Sequence, residues 1–347
     1  MGEWASAPII KARPQSAGMI TRPKPPLLSV IVVSYQTREL VLSALRSLFA
    51  ETARDDFEVL VVDNASTDGS ADAVEAAFPE VILIRSDKNV GFAAANNIAA
   101  KRAAGRFLLL LNPDTLVHSG AVDRLLSAAL EDESPQIWGG RTFFGDGTLN
   151  ASSCWARPTP WSALMGALGL AARATRSDLL NPEGMGSWDR SSSRVVDIVS
   201  GCFLLIRADL WRSLSGFDSR FFMYGEDADL CLRAHLHGAR PTIIPDACIT
   251  HYGGRSERTR SGKMIKLFTA KAQLFALYQR PLSGRFCLAT LSLWAVVRLA
   301  VSTLLSPFGQ KRREDVGEWW TVLRHRREWV SAFRRARATT EPVESVS

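Results

Sequence analysis

Three carboxylates stand within four residues in the stretch Phe221-Phe222-Met223-Tyr224-Gly225-Glu226-Asp227-Ala228-Asp229. They follow a bulky apolar run and open a predicted helix over Glu226–His237, with Gly238 just past its end. Asp229 stands four residues before Arg233 and reads as the acid of an i,i+4 pair. Glu226 and Asp227, behind the apolar run, read as a general base at a desolvated cleft. The alternative for both is cap and dipole chemistry at a helix N-terminus. A helix dipole lowers a carboxylate pKa and burial raises it, so the surroundings decide. A further acid, Asp114, ends the apolar run Phe107–Leu111 in the sequence Asn112-Pro113-Asp114. A carboxylate at the tip of a buried strand suits a hard divalent cation, which in turn neutralises a diphosphate. The alternative there is a type I turn with Pro at its second position. His251 becomes a ligand only if the fold carries it to Asp114. His118, His235, His237 and His325 read as surface residues.

These residues sit at the ends of elements with a regular rhythm. Leu28–Val33 is a β-branched run bounded by prolines and reads as a buried strand. Leu40, Val41, Ala44, Leu45, Leu48 and Phe49 then form one apolar helical face. Strands over Phe57–Val62, Val81–Arg85 and Phe107–Leu111 alternate with helices over Ala71–Ala77 and Phe92–Ala104. This alternation predicts an α/β fold with a mostly parallel, Rossmann-like sheet covered by helices. Each strand ends in polar residues: Ser34-Tyr35, Asp63-Asn64, Asp87-Lys88-Asn89 and Asn112-Pro113-Asp114. Ligands of open parallel sheets bind beyond this edge. After Ser134 the rhythm breaks, and residues 135–195 read as loops and small elements, with one helix around Trp161–Arg173. Order returns with a strand over Ile198–Ile206 around Gly201, a short helix over Asp209–Leu214 and a brief strand over Thr242–Pro245.

Composition narrows the function classes. The 347 residues are 46% hydrophobic and 22% charged, an ordinary globular balance that excludes collagen-like and fully disordered chains. The five cysteines form no close pair, which argues against a zinc site or a disulfide framework and suits a reducing cytosol. The formal charge of +7 favours an anionic partner: nucleic acid, a membrane surface or a phosphate-bearing substrate. A nucleic-acid-binding protein predicts basic residues along the ligand edge of the sheet, whereas that edge is acidic and amide-bearing. No G-x-G-x-x-G follows the first strand, and no phosphate-binding P-loop is present.

Taken together, Ser29–Tyr35 (SVIVVSY), Val61–Ser70 (VVDNASTDGS), Asn89–Asn97 (NVGFAAANN), Leu110–Asp114 (LLNPD), Val199–Arg207 (VSGCFLLIR) and Gly216–Arg233 (GFDSRFFMYGEDADLCLR) resemble the family 2 glycosyltransferases. The resemblance is nearest to the bacterial rhamnosyltransferase-like branch, which builds cell-surface polysaccharides, and spans about residues 27–255. It implies a GT-A nucleotide-diphospho-sugar transferase fold and an inverting transfer that depends on Mg²⁺ or Mn²⁺. By position, Tyr35 and Asp63 would hold the nucleotide base, with Ser34 and Asn64 beside them. Asn89, Gly91 and Asn97 would line the donor pocket. Asp114 matches the last acid of the family's metal motif, while Asn112 replaces the first acid, and His251 matches a downstream metal ligand. Asp227 matches the catalytic base, with Glu226 beside it. The donor implied is dTDP-rhamnose, with a UDP-hexose or UDP-galactofuranose as the other choice. The acceptor would be a saccharide or a polyprenyl-diphosphate-linked glycan.

The resemblance and the pattern together divide the chain. Residues 1–26, with five prolines and no apolar run of signal length, read as a disordered leader. Residues 27–262 read as the catalytic domain, 263–340 as a helical basic extension and 341–347 as a tail. Phe286–Phe308 is apolar but interrupted by Arg298, short of a clean membrane span. Downstream arginines interleave with Trp319, Trp320 and Trp329, which suits the anionic headgroup zone of a membrane. The alternative is helices packed on the catalytic domain or on a partner subunit of a homo-oligomer. The expected location is the cytoplasm, peripheral on the inner face of the bacterial cytoplasmic membrane.

Overall fold

The computed structural model describes residues 25–134, 136–253 and 259–339. The expected tail over 341–347 lies outside the described residues, as does nearly all of the expected leader over 1–26.

The chain opens with β1 (Leu28–Ser34), α1 (Arg38–Glu51), β2 (Phe57–Asp63), α2 (Ser70–Ala77), β3 (Ile82–Arg85), α3 (Phe92–Ala100) and β4 (Phe107–Leu111). All seven β1 residues are buried because both faces of the strand are covered. Val30 and Val32 pack with α1 on one face, and Ile31 and Val33 with α3 on the other. The strands β2, β1 and β4 are parallel neighbours, with β3 outside β2. Chain order therefore reverses between β1 and β4, and the covering helices change face there. That reversal leaves a crevice at the carboxyl ends of β1 and β4, where Tyr35 and Asn112–Asp114 begin.

Next come β5 (Thr115–Val117), α4 (Ala121–Glu131), β6 (Ile137–Phe143), β7 (Leu149–Asn150), β8 (Cys154–Trp155) and α5 (Pro160–Leu168). Then follow β9 (Arg194–Val195), β10 (Ile198–Val199), β11 (Phe203–Arg207), α6 (Ala208–Ser213), α7 (Glu226–Leu236) and β12 (Thr242–His251). The sheet runs β3-β2-β1-β4-β11-β6-β12-β5, with β11 antiparallel to both β4 and β6.

Three elements depart from the sequence reading, each for a local reason. The strand β6 falls in a region expected to hold loops and small elements. Its Gly139-Gly140 pair hides it: a Cβ on Gly140 would come within 2.1 Å of the Ala247 carbonyl, and one on Gly139 within 2.4 Å of Val199. The strand expected over Ile198–Ile206 is two strands, β10 and β11, because β10 pairs with β8 outside the main sheet. The strand expected to stop at Pro245 runs on to His251. Its register shifts between Ile244 and Cys248, and the irregularity absorbs the proline's missing N–H.

Four helices close the described chain: α8 (Arg260–Tyr278), α9 (Pro281–Leu305), α10 (Gln310–Arg324) and α11 (Arg326–Ala338). Phe268, Leu291 and Trp329 from these helices join the apolar cluster that also holds Ile31 and Val33. The C-terminal helices thus share a core with one face of the sheet. Pro281–Phe308 is long and apolar enough to cross a membrane by length and composition, although Arg285 and Arg298 interrupt it. Its inward face carries Cys287, Leu291 and Ala295; its outward face leaves Leu282, Phe286, Leu293, Val296 and Leu304 exposed.

Candidate active site

A cleft of about 520 Å³ occupies the crevice at the carboxyl ends of β1 and β4. Tyr35, Asn64, Asn89, Asn112, Asp114, Glu226, Asp227 and His251 all line it. Residues far apart in the chain thus converge on one cavity, with Asp114 and Asp227 on its walls.

The acidic wall is the first turn of α7. Gly225, at φ +83°, turns the chain into the helix so tightly that a Cβ would lie 3.1 Å from the Phe221 ring. Asp227 is buried, and both its oxygens are held: Oδ2 accepts the Gly201 N–H at 3.0 Å and Oδ1 the Ala228 N–H at 2.8 Å. The Gly201 donor is free for this role because the chain breaks between β10 and β11. Glu226 is also buried, and its Oε2 has no hydrogen-bond partner among the described residues. Burial raises both carboxyl pKa values, and so outweighs the helix dipole. The negative charge of Asp227 pushes Glu226 higher still, while the two N–H donors pull Asp227 back down. The first proton of the pair therefore belongs on Glu226, and Asp227 carries the charge. Asp229 takes no part: it pairs with Arg233 at 2.7 Å and accepts the Tyr278 hydroxyl at 2.7 Å.

A second part of the lining holds Asn112, Asp114 and His251. Antiparallel pairing of β12 with β5 sets His251 across from Thr115, the residue after Asp114. The Tyr252 N–H donates to the Asp114 carbonyl at 3.0 Å and fixes this register. His251 Nε2 lies 3.2 Å from Asp114 Oδ1 and 3.3 Å from Asn112 Nδ2. Burial opposes a charge on the imidazole, yet Cys202 and Asp114 beside it push its pKa up to about 10. Asn112 Oδ1 is buried with no partner among the described residues. Once the imidazole gives up its proton, a carboxylate, an imidazole nitrogen and an orphaned amide oxygen suit a divalent cation such as Mg²⁺ or Mn²⁺, whose binding would displace that proton. No cluster of three or more His, Cys, Asp or Glu side chains able to hold a metal occurs among the described residues. A cation here would keep coordination positions open for a substrate's phosphate oxygens.

The remaining expected donor residues divide between lining and support. Asn64 and Asn89 do both: Asn64 Nδ2 donates to Asn89 Oδ1 at 3.0 Å, and Asn64 Oδ1 accepts the Val90 N–H at 2.9 Å. Gly91 is not in the lining. It lies against the Phe222 carbonyl, 2.5 Å from where a Cβ would stand, and lets the Phe92 N–H reach that carbonyl at 2.9 Å. Ser34 is buried and pairs with Thr37, which does line the cleft. Asp63 is buried at the end of β2 opposite Ser34, outside the lining, with Oδ2 on the Ser66 N–H and Oδ1 unpartnered among the described residues. Asn97 is not brought to the cleft. Its amide is spent on the Phe217 backbone at 2.8 and 2.9 Å.

This arrangement carries a family signature. The family described as glycosyl transferase family 2 matches over residues 29–211. The chain belongs to that family. It is 30% identical over 258 residues to the N-acetylglucosaminyl-diphospho-decaprenol L-rhamnosyltransferase of Mycobacterium tuberculosis, a match covering 66% of this chain and 77% of that protein. It is also 30% identical over 240 residues to the O-antigen biosynthesis protein RfbC of Myxococcus xanthus, covering 67% of this chain but only 18% of that much longer protein. Its fold is GT-A. The mannosyltransferase PcManGT of Pyrobaculum calidifontis, solved with GDP-Man and Mn²⁺, shares it with a TM-score of 0.54 at 18% identity, covering 92% of this chain and 89% of that one.

Several residues of this glycosyltransferase's cleft escaped the sequence reading. Lys263 and Lys266 of α8 line it, as do Trp155, Gly201 and Tyr252. Only the lysines left a trace, as basic residues recurring every third position from Arg260. Two histidines read as surface residues are half-buried instead: His118 bonds Thr250 at 2.9 Å, and His235 the Asp197 carbonyl at 3.0 Å.

The state of Glu226 has a measurable consequence. Its folded pKa is raised, so its contribution to stability is full below the ordinary carboxylate range and is lost as pH rises through the raised value. Glutamine imitates the protonated form at every pH. Glu226→Gln is therefore expected to raise Tm by at least about 2 °C at pH 8 and to change it little at pH 4. A Tm difference independent of pH across that range contradicts the assignment.

Proposed function

We propose that the protein is an inverting glycosyltransferase that moves L-rhamnose from dTDP-rhamnose to a lipid-linked glycan. The observation that carries this reading is the single cleft shared by the Asp227 carboxylate and the Asn112, Asp114 and His251 set. Tyr35, 38% exposed at the cleft, would stack on the base of the nucleotide, with Asn64 and Asn89 beside the sugar-nucleotide. Asp63, with its orphaned oxygen, would accept an imide N–H if the base reaches it. Asp114, His251 and the Asn112 oxygen would hold a divalent cation, which supplies charge to the departing diphosphate. Rhamnose is preferred as the sugar because the Mycobacterium tuberculosis relative and the Rhamnosyltransferase WbbL of Escherichia coli (35% identical over 94 residues, 36% of its length) bear that activity in their names.

Transfer with inversion needs one base. The acceptor oxygen attacks the anomeric carbon on the face opposite the nucleotide, and the bond from that carbon to the diphosphate oxygen breaks. The acceptor's proton passes to Asp227. Its backbone donors take one lone pair of each oxygen, so another remains to accept the hydroxyl proton. Glu226, holding the pair's first proton, keeps Asp227 as the charged partner.

The helix α9 supports work at a membrane surface. Its outward apolar stripe, with Arg285 exposed on its flank and Lys311, Arg312 and Arg313 beyond its end, suits lying in an anionic membrane surface rather than crossing it, since the inward face is packed on the protein.

Asp227→Asn is expected to lower kcat by about 10²–10⁴-fold while the dTDP-rhamnose Kd stays within twofold, measured by radiolabel transfer and calorimetry. Near-normal turnover rejects Asp227 as the base. For the membrane, the double variant Phe286→Asp, Leu293→Asp is expected to lose at least about tenfold in cosedimentation with anionic-lipid vesicles. Unchanged cosedimentation rejects the α9 stripe as the contact.

A further inference from the structure

A second cavity, of about 410 Å³, adjoins the donor cleft, and Ser152 and Trp155 line both. Its other walls come from α5, the 181–184 segment, α8 and α9. Its lining is more apolar than that of its neighbour. Ala163, Gly166, Phe275, Leu291 and Trp294 make most of its surface apolar, and its one ion pair joins Lys271 Nζ to Glu183 Oε1 at 2.5 Å. Small residues keep it open. A Cβ on Gly166 would stand 3.0 Å from the Trp294 ring, so any larger residue there would push that ring aside.

We propose that this cavity seats the first part of the apolar chain of a lipid-linked acceptor, an isoprenoid next to its diphosphate. The assignment rests on the glycosyltransferase reading and specifies the acceptor class. An acid-lined cleft joined through Trp155 to an apolar cavity matches an amphiphile with a sugar at one end and a hydrocarbon chain at the other. Lys271, in the wall of this cavity, has three N–H donors and one carboxylate partner, which leaves donors for phosphate oxygens. The helix α9 supplies the continuation. Its inward Leu291 and Trp294 wall the cavity, while its outward Phe286, Leu293 and Val296 are exposed. A chain leaving the cavity around α9 would meet these exposed apolar side chains.

The test uses the full chain and farnesyl diphosphate, an isoprenoid diphosphate without sugar, titrated by calorimetry. Wild-type protein is expected to bind it saturably. Ala163→Phe in α5 and Ala171→Phe in the following turn, each filling the cavity from a different element, are expected to weaken binding by at least about tenfold. Both should keep the wild-type thermal shift with dTDP-rhamnose and Mn²⁺, which reports folding and the donor cleft. Three results overturn the proposal: no saturable binding to the wild type, equal binding to both filled variants, or inorganic pyrophosphate competing as well as farnesyl diphosphate, which would put the probe in the donor cleft. Farnesyl diphosphate binding that depends on Ala163 and Ala171, without any response to a nucleotide sugar, would keep the apolar-chain site and reject the glycosyltransferase reading.

Discussion

A carboxylate stripped of water keeps its charge only where something replaces the water, and at Asp227 two backbone N–H groups do so. One comes from the helix that carries it. The other comes from Gly201, at a break between two strands that belong to different sheets. The rest of the site follows from this contact. It holds the start of α7 against the carboxyl edge of the sheet and leaves Glu226 without a comparable partner. The same break brings Cys202 to the cleft beside His251. A continuous strand through Gly201 would spend that N–H on a sheet ladder and leave Asp227 with one backbone donor.

The second constraint is topological. Reversal of strand order between β1 and β4 opens a crevice, and the antiparallel return of β12 beside β5 closes its far side with His251. The wall of Asn112, Asp114 and His251 and the wall of Glu226 and Asp227 thus border one cleft of about 520 Å³. Lys263 and Lys266, from the C-terminal helices, add positive charge to a cleft otherwise rich in carboxylates. Those helices share an apolar core with the sheet, and α8 walls both cavities while α9 walls the second.

Much of this was legible in the sequence because the relevant forces are local. The runs at Leu28–Val33 and Phe107–Leu111 could only be buried strands, and their polar ends marked the ligand edge. Asp229 was separable from its neighbours because Arg233 stands one helical turn away. What stayed hidden depends on distant contacts. Gly139 and Gly140 broke the strand pattern of β6 because their need for space is set by Val199 and Ala247. Pro245 masked the second half of β12, since only the paired strand reveals the shift in register. Asn97 carried the same amide chemistry as Asn89, and only the fold tells that Phe217 takes it. The lysines of α8 lie outside every motif, and tertiary packing alone delivers them.

The central claim is that one cation-binding wall and one base wall grip the same diphosphate sugar. The most direct measurement is a crystal structure with dTDP and Mn²⁺, using the anomalous signal of manganese to locate the ion. The account predicts a single strong peak in contact with Asp114 and His251, bridging to the diphosphate, with Asp227 facing the open side where the sugar would lie. Manganese and nucleotide bound away from these residues would contradict it.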